Sequence, residues 1–71
     1  MANNTLKIIR ENIKKYRTER SMSQVQLAMK CSLSSEYVSE IERGVREPSL
    51  KRLILIAQAL EIEPHQLFLQ N

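Results

Sequence analysis

The side chains able to do chemistry in this 71-residue chain fall into two groups. Cys31 and His65 are the single examples of their types. One Cys and one His cannot assemble a four-ligand zinc site. No general base stands beside a hydroxyl in any arrangement that activates a nucleophile. The sequence therefore predicts no enzyme, no metal, no cofactor and no small-molecule ligand. The second group is richer. Ser23 and Gln24, then Ser34, Ser35, Glu36, Tyr37, Ser39, Glu40, Arg43 and Arg46, supply hydroxyls, an amide, carboxylates and guanidinium groups. These groups recognise partners by hydrogen bonds and charge rather than by breaking bonds.

Charge refines that distinction. Eleven Lys and Arg against eight Asp and Glu give a net +3, but the excess is unevenly placed. Residues 1–30 hold seven cations and two anions, a local +5. Residues 31–47 hold Arg43 and Arg46 against Glu36, Glu40, Glu42 and Glu47, a local −2. The remainder is balanced. A positive field on the first part of the chain suits a polyanionic partner, although a solvated helix face gives the same count.

The elements that must position these groups are helices. One Gly and two Pro leave little turn chemistry for a sheet, and apolar spacing follows threes and fours. Helix 1 is expected from Thr5 to Glu19, with Leu6, Ile9, Ile13 and Tyr16 inward. Ser23 caps helix 2, Gln26 completes a capping box, and Met22 staples against Leu27. Leu27, Ala28 and Cys31 face the core, which leaves Cys31 as a buried thiol. Ser34 or Ser35 caps helix 3, which buries Val38 and Ile41 and closes at Gly44. Ser49 caps helix 4, whose inward face is read as Leu50, Leu53, Ile54, Ala57 and Leu60. Pro64 starts a fifth helix carrying Leu67 and Phe68 to the core, with His65 at its surface. The expectation is an all-α, five-helix single domain over residues 1–71. No run of apolar residues approaches the roughly 20 that a membrane helix needs, and no secretory leader pattern opens the chain. A cytoplasmic protein without membrane attachment is expected.

Two short helices with a tight turn between them, over about residues 23–43, form a unit that suits the major groove. That groove admits one helix whose exposed side chains reach base edges. Spacing alone is weak, because any small helical bundle contains such pairs. The residues are more specific. Ile13 and Arg17, Met22-Ser23-Gln24, Leu27-Ala28, Leu33-Ser34, Tyr37-Val38-Ser39 and Ile41-Glu42-Arg43-Gly44 follow one another without insertion. Glu47-Pro48-Ser49-Leu50, Leu53, Ala57-Gln58-Ala59-Leu60 and Leu67-Phe68 continue the series. Over residues 9–68 the chain resembles the Cro/repressor-type, or XRE, helix-turn-helix family with its lambda-repressor-like fold.

The resemblance implies double-stranded DNA as the partner and transcriptional regulation as the function. It implies that Gln24 bonds a phosphate and that Ser23 caps helix 2 towards phosphate. Ser34, Ser35, Glu36, Ser39 and Glu40 would face the major groove, with Tyr37 beside the backbone or a base methyl. Arg43, Val45 and Arg46 would meet phosphate. Arg17 and Glu42 match a structural ion pair. Ser32 and Glu61 stand where the family often has Gly.

Glu36 and Glu40 oppose an anionic duplex unless they accept from cytosine N4 or pair with Arg43. They leave open a protein-interaction module or antitoxin on the same fold; Gln24, Arg43, Arg46 and the local +5 favour DNA. Leu55 is expected on the outer side of helix 4. With Phe68 and Leu69 it offers a patch for a homodimer. A dimer would place two recognition helices about 34 Å apart on a roughly palindromic operator. An autoregulated repressor or restriction-modification controller is the expected type.

Overall fold

Three serines decide where helices begin, because each replaces a missing intrahelical acceptor with its own hydroxyl oxygen. The computed structural model describes residues 3–70. Met1, Ala2 and Asn71, the ends of the expected domain, lie outside the described residues. Four α-helices follow in order: α1 (Asn3–Glu19), α2 (Gln24–Cys31), α3 (Ser35–Arg43) and α4 (Leu50–Ala59). A 3₁₀ turn (Pro64–Phe68) comes last. Ser23 accepts from the Gln26 amide at 3.0 Å, while the Gln26 side chain accepts from the Ser23 amide at 2.8 Å. Ser34, not Ser35, caps α3 by accepting from the Tyr37 amide at 3.0 Å. Ser49 does the same for the Arg52 amide at 3.2 Å. α1 already includes Asn3 and Asn4, so Thr5 lies within the helix rather than capping it.

Left-handed residues close the helices. Gly44 ends α3 at φ 80°, and Ser32 ends α2 at φ 59°. Glu61 and Ser21 take the same conformation at φ 59° and 55°. Each of the three non-glycine residues carries a steric cost of roughly 1–2 kcal/mol. The tight α2–α3 connection depends on Ser32, since Leu33 can then donate back to the Ala28 carbonyl at 2.9 Å.

One apolar cluster joins all five elements: Ile9 and Ile13 of α1, Leu27, Ala28 and Cys31 of α2, and Tyr37, Val38 and Ile41 of α3. Leu53, Ile56, Ala57 and Leu60 of α4 and Leu67 of the turn complete it. Ala28 and Ala57 are small enough for α2 and α4 to approach closely.

Three features depart from the sequence expectation. The inward face of α4 is Leu53, Ile56, Ala57 and Leu60, while Leu50 is 67% and Ile54 37% exposed. Leu55 is half-buried rather than fully outward. Residues 53–57 are all apolar, so periodicity alone cannot set the rotation of this helix; packing does. The expected fifth α-helix is a five-residue 3₁₀ turn. Phe68 is 38% exposed, and only Leu67 of that segment enters the core.

Asn12 explains the last two differences. It is buried within α1, and its amide donates to the carbonyls of Leu67 at 2.9 Å and Leu69 at 2.8 Å. Those oxygens are held by a side chain, so the segment ends in a tight turn and does not continue as helix. Asn12→Ala is expected to lower unfolding stability by about 1–3 kcal/mol, the cost of stranding buried acceptors. Urea denaturation measures it, and an unchanged midpoint would remove the clamp.

Candidate nucleic-acid interface

Arg17 lies near the end of α1, with the Met22 carbonyl and α3 within reach. Its Nε donates to Glu42 Oε2 at 2.7 Å and its Nη2 to Glu42 Oε1 at 3.0 Å. The remaining nitrogen, Nη1, donates to the Met22 carbonyl at 2.7 Å. The two side chains are only 11% and 4% exposed. Gln24, the first residue of α2, adds a bond from its Nε2 to Glu42 Oε1 at 3.0 Å. One carboxylate of α3 is thereby bonded to α1 and α2 together. A bidentate guanidinium–carboxylate pair has a fixed geometry, so this junction sets the angle at which α3 leaves α2. The Gln24 amide nitrogen carries two hydrogens. With one given to Glu42, the second remains for an outside acceptor.

α3 exposes Ser35, Glu36 and Arg43, with Ser39 and Glu40 partly exposed. Ser23 and Ser34 spend their lone pairs on caps, which leaves their O–H groups as donors. Arg43 Nε reaches Ser39 Oγ at 3.4 Å. Neither acid pairs with Arg43. Glu40 instead accepts from Arg46 Nε at 2.6 Å across the turn after α3, and Glu36 makes no ion pair among the described residues. The bond and charge of Glu40 hold the Arg46 proton even more tightly than usual.

Tyr37, which the resemblance implied would lie beside the DNA backbone or a base methyl, is largely covered by the protein itself. Its residue is 8% exposed, and two guanidinium carbons approach its ring centroid, Arg46 Cζ at 5.3 Å and Arg52 Cζ at 4.9 Å. The aromatic quadrupole attracts both cations, so Tyr37 holds two guanidinium groups beside the exposed face of α3. Arg52 was missed in the sequence. It lies fifteen residues from Tyr37, and no local spacing signals their contact. Val45 is 65% exposed in the same turn.

Other reactive groups take no part in this face. Cys31 is buried, and burial pushes its thiol up from the ordinary range. His65 is exposed on the 3₁₀ turn. Among the described residues no cluster of three His, Cys, Asp or Glu side chains could hold a metal ion. No helix among them is long and apolar enough to cross a membrane.

Two helices locked at one carboxylate, with a polar face on the second, define a helix-turn-helix unit. The Helix-turn-helix family (HTH_3) matches residues 13–67, and the chain belongs to that family. The chain is 38% identical to control protein C.BamHI from Bacillus amyloliquefaciens over 94% of its own length and 84% of that protein. The restriction-modification controller protein C.AhdI from Aeromonas hydrophila superposes with a TM-score of 0.85 at 38% identity, covering 89% of this chain and 96% of that one. The biofilm regulator SinR in complex with DNA superposes at 0.79 and 35% identity, covering 83% and 95%. The chain is a DNA-binding transcriptional regulator, and its relatives are regulators rather than enzymes.

Glu42→Ala leaves Arg17 buried without its carboxylate, and a loss of about 3–5 kcal/mol is expected. A double variant, Arg17→Met with Glu42→Leu, removes both charges and is expected to recover much of that loss. Chemical denaturation of the two proteins compares them directly; equal losses would mean that the pairing itself matters little.

Proposed function

We propose that this regulator binds a roughly palindromic operator as a homodimer, in the manner of an autoregulated repressor or restriction-modification controller. The observation that carries the reading is the Glu42 junction. It holds α3 out from α2 with its polar face exposed and with Gln24 beside it. Helix α3 enters the major groove, where Ser35, Glu36, Ser39 and Arg43 reach base edges. Ser23 and Gln24 bring the N-terminal end of α2, with its partial positive charge, to a phosphate. Arg46 and Arg52, ordered on Tyr37, approach the flanking backbone. Control proteins and a DNA-bound regulator among the relatives support this assignment. A cytoplasmic protein acting on the chromosome belongs to the same reading.

Glu40 has two states in this scheme. Free, it neutralises Arg46. When Arg46 turns to a phosphate, Glu40 is released to accept from a cytosine amino group. Selection of duplexes from a random pool, followed by salt titration, tests the whole proposal. Affinity is expected to fall linearly in log salt with a slope near −0.9 per phosphate contact. Duplex binding that is absent or indifferent to salt would favour a protein-interaction module. Glu40→Ala is expected to relax preference at one base position in each half-site and to strengthen binding to unrelated duplexes. An unchanged preference would remove Glu40 from base reading.

Exposed apolar surface supports a docking place for the second copy. Leu69 is 53% and Phe68 38% exposed, and the outward Leu50 and Ile54 stand one helical turn apart on α4. Leu55 contributes only an edge, since it sits in a shallow depression with Lys30 and Gln58. Covering these side chains with a symmetry mate removes them from water and sets the half-site spacing. Ile54→Glu is expected to give a folded monomer with at least tenfold weaker operator binding. Sedimentation of the wild type as a monomer at tens of micromolar, even with operator DNA, would overturn the dimer.

A further inference from the structure

A groove of about 360 Å³ separates α1 from the turn that follows α3. Leu6, Ile9 and Ile41 give it apolar lining, and Arg10, Arg46 and Glu47 bring charge to it. Arg10 lies against Gly44. A Cβ at Gly44 would fall 2.8 Å from Arg10 Nη1 and 3.1 Å from its Cζ, so the guanidinium rests on bare backbone. Gly44 is required twice over, by its positive φ and by this approach. Among the described residues Arg10 enters no ion pair, and its residue remains partly exposed. It is therefore a positioned cation with no carboxylate at ion-pair distance among the described residues.

We infer that Arg10 seats a backbone phosphate of the bound duplex, which extends the DNA contact from the α2–α3 unit onto α1. The inference rests on the DNA-binding reading above. A chain leaving the end of a helix that lies in the major groove must cross the sugar–phosphate backbone, and Gly44 begins that crossing. The guanidinium fork matches phosphate oxygens two at a time. Apolar lining beside it strengthens the attraction relative to open water. Glu47 and the Glu40-bound Arg46 leave too little net charge in the groove to capture a free phosphate. The occupant is therefore a phosphate presented by the duplex. Proximity to the last carbonyls of α3 gives Arg10 a local role as well, since a cation complements that end of the helix dipole. The two roles separate by measurement.

Arg10→Gln keeps the inner stem and removes the charged group over Gly44; Arg10→Lys keeps the charge and loses the fork. Fluorescence anisotropy with the selected duplex and an unrelated one, over a series of salt concentrations, reads both variants beside the wild type. Thermal melts confirm that each is folded at the assay temperature. Arg10→Gln is expected to weaken both duplexes about tenfold at low salt and to reduce the magnitude of the log–log salt slope by about 0.9. Base preference stays the same. Arg10→Lys is expected to retain most of the slope with a smaller loss of affinity. Unchanged affinity and slope for Arg10→Gln, with a lowered melting temperature or without one, would overturn the phosphate seat and leave only the helix-end role. A wild type that binds no duplex would overturn the DNA-binding reading itself, and the seat with it.

Discussion

The carboxylate of Glu42 is the point on which the rest of this molecule depends. It accepts from Arg17 twice and from Gln24 once, so a single buried anion satisfies donors from the first two helices. A buried ion pair gains little stability over a well-packed apolar substitute. What it supplies is direction: the planar fork admits one orientation. The orientation it fixes is that of α3 relative to α2, the one angle that determines whether a recognition helix lies in a groove or across it. Gln24 couples this internal brace to the outside, because the amide bonded to Glu42 has a second hydrogen to give.

Around that brace, charge is used in two ways. Cations of α1 and α2 create a general attraction for a polyanion, while the acids of α3 oppose it. Glu40 does not stand as bare negative charge on the recognition face; Arg46 covers it at 2.6 Å. The cation that covers it is itself stacked on Tyr37, which also holds Arg52. In the complex proposed above, exchange of partners by Arg46 would convert a neutral pair into a phosphate contact and a free acceptor. Selectivity in such a face comes from what must be given up on a wrong sequence as much as from what is gained on the right one.

Cooperation between elements also appears at the other end of the chain. Asn12 occupies a position on the apolar stripe of α1, between Ile9 and Ile13, where a hydrocarbon would be the simple choice. Its amide bonds instead to carbonyls of the last segment. That segment is too short to hold itself as helix, so its shape is borrowed from α1. The turn leaves Phe68 and Leu69 exposed, as Leu50 and Ile54 are on α4.

Much of this was legible in the sequence, and the reasons are local. The caps at Ser23, Ser34 and Ser49, the capping box with Gln26 and the closure at Gly44 depend on groups within four residues of one another. So do the inward positions of α2 and α3. The exposed polar residues on α3 follow from helical periodicity once those limits are known, and the family pattern added Arg17 with Glu42. The rotation of α4 was not legible, because five consecutive apolar residues at 53–57 satisfy more than one face. Nor were the roles of Asn12, Arg10 and Arg52, whose partners lie from 15 to more than 50 residues away. Local hydrogen bonds and periodicity thus determined the helices and the exposed polar face of α3. Only the tertiary structure decided which cations are free, which are paired and which apolar side chains remain outside, because those are properties of distance in space.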